Sequence, residues 1–370
     1  MTVPRIDVVY RLHVAAEQAA HRARLLAIEQ SIEMPPEAVV DGRVLDELLA
    51  RVARIEPQAD GTSLAYLQLA CETVCEDAGQ LMNMLFGNCS LQPDVELVDV
   101  EVPAPLASAF GGPNLGIEGL RRLTGAFGRP LTCTALKPIG STVEQLAALC
   151  RTFAQAGIDV IKDDHGWANQ RSAPFAERVA ACQRVVHEAN AASGRRTVYA
   201  PSLFGTHVQM QRQIELARSH GVAAFLIAPL VCGVATFNAL KREHPDLAFI
   251  AHPAFGGAGR IAPPVLLGKL LRLFGADAVI FPNHGGRFTY PADVCQQIAR
   301  GNRAAWHRLN PALPVPAGGM SVERVPELKR EYGNDSMLLI GGSLLIARER
   351  LAERSRAFVE AVAAAGEVTA

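Results

Sequence analysis

The stretch GIDVIKDDHGWANQ, residues 157–170, places a lysine, two aspartates and a histidine directly behind a short apolar run ending at Ile161. A short apolar run closed by four ionisable groups reads as a buried strand whose carboxyl end opens onto chemistry. Seven further runs of the same kind occur in the chain: TCTALKP, TVYAPSLFG, AAFLIAPL, LAFIAHP, AVIFPN, PVPAGGM and SMLLIGG. Most are separated by helix-like segments such as VEQLAALCRTFAQAG. Eight short strands, each followed by a crossover, predict a (β/α)8 barrel, in which parallel strands buried on both faces appear as continuous hydrophobic runs.

Upstream, VVYRLHV and VELVDVEV read as strands, and Val14–Ser31 and Ser63–Cys75 as helices, which predicts a smaller α+β, ferredoxin-like unit. The Pro/Gly-rich stretch ASAFGGPNLG marks the boundary, with the α+β unit over residues 1–115 and the barrel over 116–370. At 370 residues, 49% hydrophobic and 20% charged, the chain is long enough for both. A formal net charge of -1, with no basic run interleaved with aromatics, argues against nucleic acid or an anionic membrane as partner. The opening MTVPRIDVVYRLHV lacks the pattern of a signal sequence, and no apolar run approaches the ~18 residues of a membrane span. A cytoplasmic location is expected. Eight cysteines without a CxxC pair predict reduced, packed thiols rather than a disulfide framework or a zinc site.

In such barrels the catalytic groups sit at the carboxyl ends of the strands. Those positions hold Lys137, then Lys162, Asp163, Asp164 and His165, then His207, His252, Asn283 with His284, Gly318 with Gly319, and Gly341 with Gly342. A strand has a period of two, so Lys162 and Asp164 share one face while Asp163 points the other way.

These motifs resemble the large subunit of RuBisCO, and more closely the RuBisCO-like proteins that share its fold without its carboxylation reaction. GRPLTCTALKP is similar to the family's first barrel strand, and GIDVIKDDHGWANQ to the strand that carries a carbamylated lysine and metal carboxylates. LAFIAHPAF resembles the strand ending in a substrate-contacting histidine, while PVPAGGM and DSMLLIGGSLL resemble the two glycine pairs that hold a phosphate. AIEQSIE and NMLFGNCSL are weaker likenesses upstream.

The resemblance implies that Lys162 reacts with CO2 to form a carbamate and, with Asp164, holds a divalent metal, Mg2+ or Mn2+. Where the family has a glutamate, this chain has His165, whose imidazole as a third ligand moves preference toward Mn2+, Fe2+, Co2+ or Zn2+, or which serves instead as a proton carrier. Lys137 matches the family's lysine that exchanges protons with the sugar carbon, and both Lys137 and Lys162 are expected to be catalytic. His252, Asn283, Arg287, Gly318, Gly319, Gly341 and Gly342 are expected to contact the substrate or its phosphate. Glu29, contributed by a neighbouring subunit, would complete the site and implies a homodimer; Asn83 is the nearest match to a second cross-subunit residue.

Three departures argue against carboxylation of ribulose bisphosphate. Ile139 stands where the carboxylases have a second lysine, Pro253 where an arginine grips a second phosphate, and the short loop NHGGRFTYP offers only Arg287 as a cation. What remains is a site that stabilises an enediolate on a sugar monophosphate. With a single lysine at the carbon, the sequence points to decarboxylation of a 3-keto branched sugar-acid phosphate such as 3-oxo-isoapionate 4-phosphate. The alternatives are an isomerase or enolase acting on a methylthio-ribulose-type phosphate, and a non-catalytic sugar-phosphate-binding relative. A Schiff-base aldolase using Lys137 or Lys162 would leave Asp164 and His165 without a role.

Overall fold

The protein is described by a computed structural model covering residues 3–286 and 288–364. Strands β1 (Arg5–Leu12), β2 (Arg51–Pro57), β3 (Ser63–Ala70) and β4 (Val95–Glu101) form an antiparallel sheet in the order β2-β3-β1-β4. Helices Ala19–Glu29 and Ala78–Phe86 follow β1 and β3, which completes a ferredoxin-like βαββαβ unit. Along β1 the residues Ile6, Val8, Tyr10 and Leu12 are buried and their neighbours are not, the alternation of a sheet with one covered face.

The helix expected over Ser63–Cys75 is instead β3. SLAYLQLA is built from residues with high helix propensity, but Ser63, Ala65, Leu67 and Leu69 are buried with a period of two, and β3 pairs with β1 on one side and β2 on the other. Two ladders of tertiary hydrogen bonds outweigh a local preference of a few tenths of a kcal/mol per residue, roughly. The turn expected over ASAFGGPNLG is also narrower, because Ala104–Phe110 is helical and the chain turns only after it, at Gly111 and Gly112 with φ of 82° and 59°.

The eight remaining strands are β5 (Leu131–Leu136), β6 (Val160–Asp163), β7 (Val198–Ala200), β8 (Ala224–Ile227), β9 (Ala248–Ala251), β10 (Ala278–Pro282), β11 (Leu313–Ala317) and β12 (Met337–Leu339). Every one falls on an apolar run read from the sequence. All are parallel, in two arcs ordered β12-β5-β6-β7 and β8-β9-β10-β11. The arcs join where Leu226 N–H donates to Pro201 O at 2.9 Å and Leu203 N–H to Leu226 O at 2.9 Å, and where β11 lies beside β12. The result is a closed (β/α)8 barrel.

Side-chain parity divides the barrel into two cores. Leu131, Cys133, Val160, Ala200, Ala224, Leu226, Ile250, Ile280, Val315 and Met337 fill the lumen with Ile117 and Leu120 of the helix Gly116–Thr124, which plugs its amino-terminal end. Ile161, Tyr199, Phe225, Phe249, Val279 and Phe281 face outward into the helices. Since the lower lumen is filled with apolar side chains, polar groups are admitted only at the carboxyl ends.

Two buried aspartates anchor the lower rim. Asp277 Oδ1 accepts from the N–H groups of Leu115 and Gly116 at 2.6 and 2.7 Å, and its Oδ2 from Phe249 N–H at 2.7 Å. Asp159 pairs with Arg129 at 2.7 and 2.8 Å and accepts from Thr132 N–H and hydroxyl at 2.7 and 2.9 Å. The α+β unit docks through β4, where Leu97 N–H donates to Arg260 O at 2.9 Å and Leu97 O accepts from Ala262 N–H at 2.8 Å. Among the described residues no helix is long and apolar enough to cross a membrane, and all eight cysteines are free thiols.

Asp277 holds the plug helix to the barrel, so Asp277→Asn sets an amide NH2 against a backbone N–H that it cannot satisfy. The expected loss is about 1–3 kcal/mol, the cost of a buried unpaired donor. Urea unfolding of the variant measures it, and a change below about 0.5 kcal/mol, the ordinary range for a surface substitution, would contradict this role.

Candidate active site

At the end of β6 the chain alternates as its period requires. Lys162, 2% exposed, follows Val160 into the lumen, and Asp163, fully buried, turns outward. There Asp163 accepts from Arg178 Nε at 3.1 Å, from the Tyr199 hydroxyl at 2.8 Å and from Ser202 N–H at 3.1 Å. Arg178, also fully buried, donates in addition to Ala173 O at 2.6 Å and Ala168 O at 3.1 Å, and its guanidinium lies 5.2 Å from the ring centre of Trp167. Trp167 Nε1 in turn donates to Leu136 O at the end of β5 at 3.0 Å. The loop after β6 is therefore tied to two neighbouring strands and to the helix Phe175–Ser193.

On the lumen side, Asp164 stands between two lysines. Its Oδ2 accepts from Lys137 Nζ, and its Oδ1 lies 3.9 Å from Lys162 Nζ and 3.5 Å from His165 Nδ1. Burial alone would raise the Asp164 pKa; the hydrogen bond from His165 and the charges of Lys162 and Lys137 outweigh it and hold the carboxyl well below the usual carboxylate range. Lys162 is shifted the other way. Burial pushes its ammonium below the ordinary lysine value, against the attraction of Asp164, and its one hydrogen bond goes to Asp163 O at 3.1 Å.

His165 stacks on His252, with ring centres 4.0 Å apart and planes at 12°. Burial, then the positive charge of Lys162, lowers the His252 pKa to about 2, so this ring is neutral. Its Nδ1 accepts from Ala254 N–H at 3.1 Å, which leaves Nε2–H as its free donor. Gly318 and Gly319 have successive positive φ of 84° and 70°, left-handed backbone that favours glycine at both positions. A side chain on Gly318 or Gly342 would meet open space, and one on Gly341 would come within 3.8 Å of Lys137 Cε. The two glycine loops are joined by Ser343 Oγ donating to Met320 O at 2.7 Å.

Lys137, Lys162, Asp164, His165, His252 and the two glycine pairs thus gather at the carboxyl end of the barrel. Three polar strand ends do not. Asn283 is fully buried, its carbonyl accepting from the Tyr332 hydroxyl and its amide 3.6 Å from Met320 Sδ, so both ends of its side chain are engaged and it braces β10 rather than presenting a group to substrate. His284 pairs with Glu331 at 2.8 Å and lies 3.8 Å from Glu327, which is itself paired with Arg324 at 2.8 Å. His207 is bonded to Glu243 at 3.0 Å on the outer helices. Arg287 lies outside the described residues.

In the α+β unit, Glu29 accepts from Asn88 Nδ2 at 2.8 Å, whereas Asn83 is exposed and turned to Gln80. Asn88 is the residue that sequence reasoning missed. It stands five positions after Asn83 in the same NMLFGN motif, and the helix that ends at Phe86 puts it, not Asn83, beside Glu29.

Residues 116–346 match the family model of the ribulose bisphosphate carboxylase large chain, catalytic domain. The chain is 49% identical over 362 residues to a 5-methylthioribulose-1-phosphate isomerase of Rhodospirillum rubrum, an alignment that covers 98% of this chain and 97% of that one. It is 33% identical over 327 residues to a 2,3-diketo-5-methylthiopentyl-1-phosphate enolase of Microcystis aeruginosa, covering 86% and 83%. Among solved structures, a RuBisCO-like protein from Rhodopseudomonas palustris superposes with a TM-score of 0.93 at 46% identity, over 100% of both chains.

The clamp on Asp163 generates a stability prediction. Arg178→Met leaves a buried carboxylate unpaired and is expected to cost about 3–5 kcal/mol, part of which Asp163→Asn in the same chain restores. Denaturant titration of the single and double variants reads both quantities. A double variant that is less stable than Arg178→Met alone would show that the pair does not act as a unit.

Proposed function

Because the chain belongs to the ribulose bisphosphate carboxylase large-chain family, in its RuBisCO-like branch, we propose that it is an enzyme forming an enediolate on a phosphorylated keto sugar, and specifically an isomerase of a 5-methylthioribulose-1-phosphate-type substrate. The observation that carries this reading is the trio at the ends of β5 and β6, with Asp164 shared by Lys137 and Lys162. The near full-length likeness to an enzyme named for that isomerisation supports it. The same relatives favour isomerase or enolase chemistry over the decarboxylation toward which the sequence pointed.

The residues present fit the metal that the family implies. Lys162 is a buried amine whose charge is disfavoured by burial, and as a neutral amine it can attack CO2 and lose a proton to give an anionic carbamate. Asp164 is held ionised, and His165 is within reach of it. We assign Lys162 as the carbamate, with Asp164 and His165, to a Mg2+ or Mn2+ ion. When bound, such an ion supplies Lewis-acid stabilisation of negative charge developing on the sugar oxygens.

The chain's own groups supply the rest. Gly318, Gly319, Gly341 and Gly342 offer backbone N–H groups to one phosphate, and Pro253 leaves no strand-end arginine for a second. His252, neutral, donates Nε2–H to a sugar oxygen. Lys137 Nζ is the group that takes a proton from the carbon beside the ketone and returns one to the enediolate. Glu29 and Asn88 of a second copy of the chain complete the site in a homodimer.

Incubated with 5-methylthioribulose 1-phosphate, Mg2+ and bicarbonate in D2O, the protein should incorporate deuterium at carbon without releasing CO2, as followed by proton NMR. Lys137→Met should lower kcat by about 10²–10⁴-fold with KM little changed. Release of CO2 from a 3-keto branched sugar-acid phosphate, with no exchange in the methylthio sugar, would overturn the isomerase in favour of the decarboxylase.

A further inference from the structure

Trp167 is bonded to both of the segments that bring Lys137 and Asp164 together. Its backbone N–H donates to Asp164 O at 3.0 Å, closing a turn over residues 164–167. Its indole Nε1 donates at 3.0 Å to Leu136 O, the carbonyl of the residue before Lys137. We infer that Trp167 is a positioning residue for the proton transfer: it holds the end of β5 to the turn after β6 and thereby sets Lys137 Nζ against Asp164. The inference rests on the proposed role of Lys137 and adds to it a residue buried in the outer core.

Lys137 needs such a constraint. Its side chain is 37% exposed, a flexible four-carbon stem whose Nζ is bonded to Asp164 Oδ2. An amine free to wander would face the substrate carbon in few of its conformations, so what fixes it bears directly on rate. Trp167 is suited to supply the constraint, because it is itself immobilised. It is 1% exposed within the outer apolar core, the Arg178 guanidinium lies 5.2 Å from its ring centre, and Arg178 donates to the carbonyl of the next residue, Ala168, at 3.1 Å. The strut is thus anchored in the Asp163 clamp at one end and reaches the Lys137 backbone at the other.

The two loops also touch at Gly166. A side chain there would come within 2.4 Å of Ile139 Cδ1, so glycine at this position lets Ile139, two residues past Lys137, lie against the turn. Contacts at Leu136 and Ile139 therefore bracket Lys137 on both sides. The one at Leu136 is directional, an N–H···O bond from a buried indole with no water to take its place, whereas Ile139 is half exposed and apolar. Loss of the indole N–H alone should therefore release the end of β5 while leaving the packing of the ring in place.

The test replaces Trp167 in two ways. Trp167→Phe keeps an aromatic ring, and β-(3-benzothienyl)alanine at the same position keeps the bicyclic shape with sulfur where the indole N–H stood. Thermal unfolding checks the fold, and the benzothienyl variant decides the matter if Trp167→Phe does not fold. Each replacement is assayed with 5-methylthioribulose 1-phosphate, alone and combined with Lys137→Met, and Mn2+ affinity is measured in the presence of bicarbonate. Both should lower kcat by about 10–100-fold, the upper figure being the cost of misplacing a reacting group by roughly 1 Å, with KM and Mn2+ affinity unchanged. In the Lys137→Met background neither should cost anything further, because the group they position is gone. Equal losses with and without Lys137, or kcat unchanged in the folded variants, overturn the inference. So does a fall in Mn2+ affinity that parallels kcat, which would place the effect on Asp164. A readout free of turnover separates this from the isomerase reading: the metal-free protein is treated with an amine-reactive ester, and labelling of Lys137 is followed by mass spectrometry. Release from Asp164 should make that labelling faster in both variants. Faster labelling in a protein that does not turn over the methylthio sugar overturns the isomerase and leaves the role of Trp167 standing, whereas unchanged labelling overturns that role whether or not the sugar is turned over.

Discussion

The outward turn of Asp163 is the constraint on which the rest of the site depends. A strand presents alternate residues to opposite faces, so fixing Asp163 among Arg178, Tyr199 and Ser202 N–H fixes Lys162 and Asp164 in the lumen. A slip of one residue would bury two lumen groups in the apolar shell and turn a carboxylate paired with Arg178 into the mouth. A buried ion pair of this kind is weak evidence for stability in itself, but losing one partner is costly, and that asymmetry pins the register. Arg178 extends the clamp to the loop 164–174 through Ala168 and Ala173, so the loop that carries Asp164 and His165 is held from the outer face of the barrel.

The lumen is arranged to match. Apolar side chains and the plug helix Gly116–Thr124 fill its lower part, leaving two lysines, one carboxylate and two stacked histidines at the upper end. With both amines charged that set carries an excess of positive charge over the single Asp164. The carbamate proposed at Lys162, a buried lysine with a hydrogen bond to Asp163 O, would reverse that balance. The glycines Gly318 and Gly342 have open space where a side chain would stand.

Much of this was legible in the sequence, for a physical reason. Parallel strands buried on both faces leave short apolar runs that nothing else in the chain imitates, so all eight barrel strands could be read, and the period of two separated Lys162 and Asp164 from Asp163. The α+β unit was less legible, because SLAYLQLA carries helix-forming residues in a strand held by its neighbours. Burial of individual polar ends was not legible either. Asn283 and His284 follow a barrel strand as Lys137 does, and only the packing of Tyr332 and Glu331 against them shows that they are spent on structure. Asn83 is the nearest match in NMLFGN, and only the helix end shows that Asn88 is the residue that meets Glu29.

The central claim, that Lys162 and Asp164 at the end of β6 form a CO2-dependent metal site, is tested most directly by Mn2+ binding followed by electron paramagnetic resonance, with and without bicarbonate. The account predicts one tight site per subunit that appears with CO2, is lost in Lys162→Ala and persists in Glu331→Gln. Equal binding without CO2 and in Lys162→Ala, abolished instead by Glu331→Gln, would contradict it and place the ion at His284, Glu327 and Glu331, whose ligand atoms lie within 4.8 Å of one another.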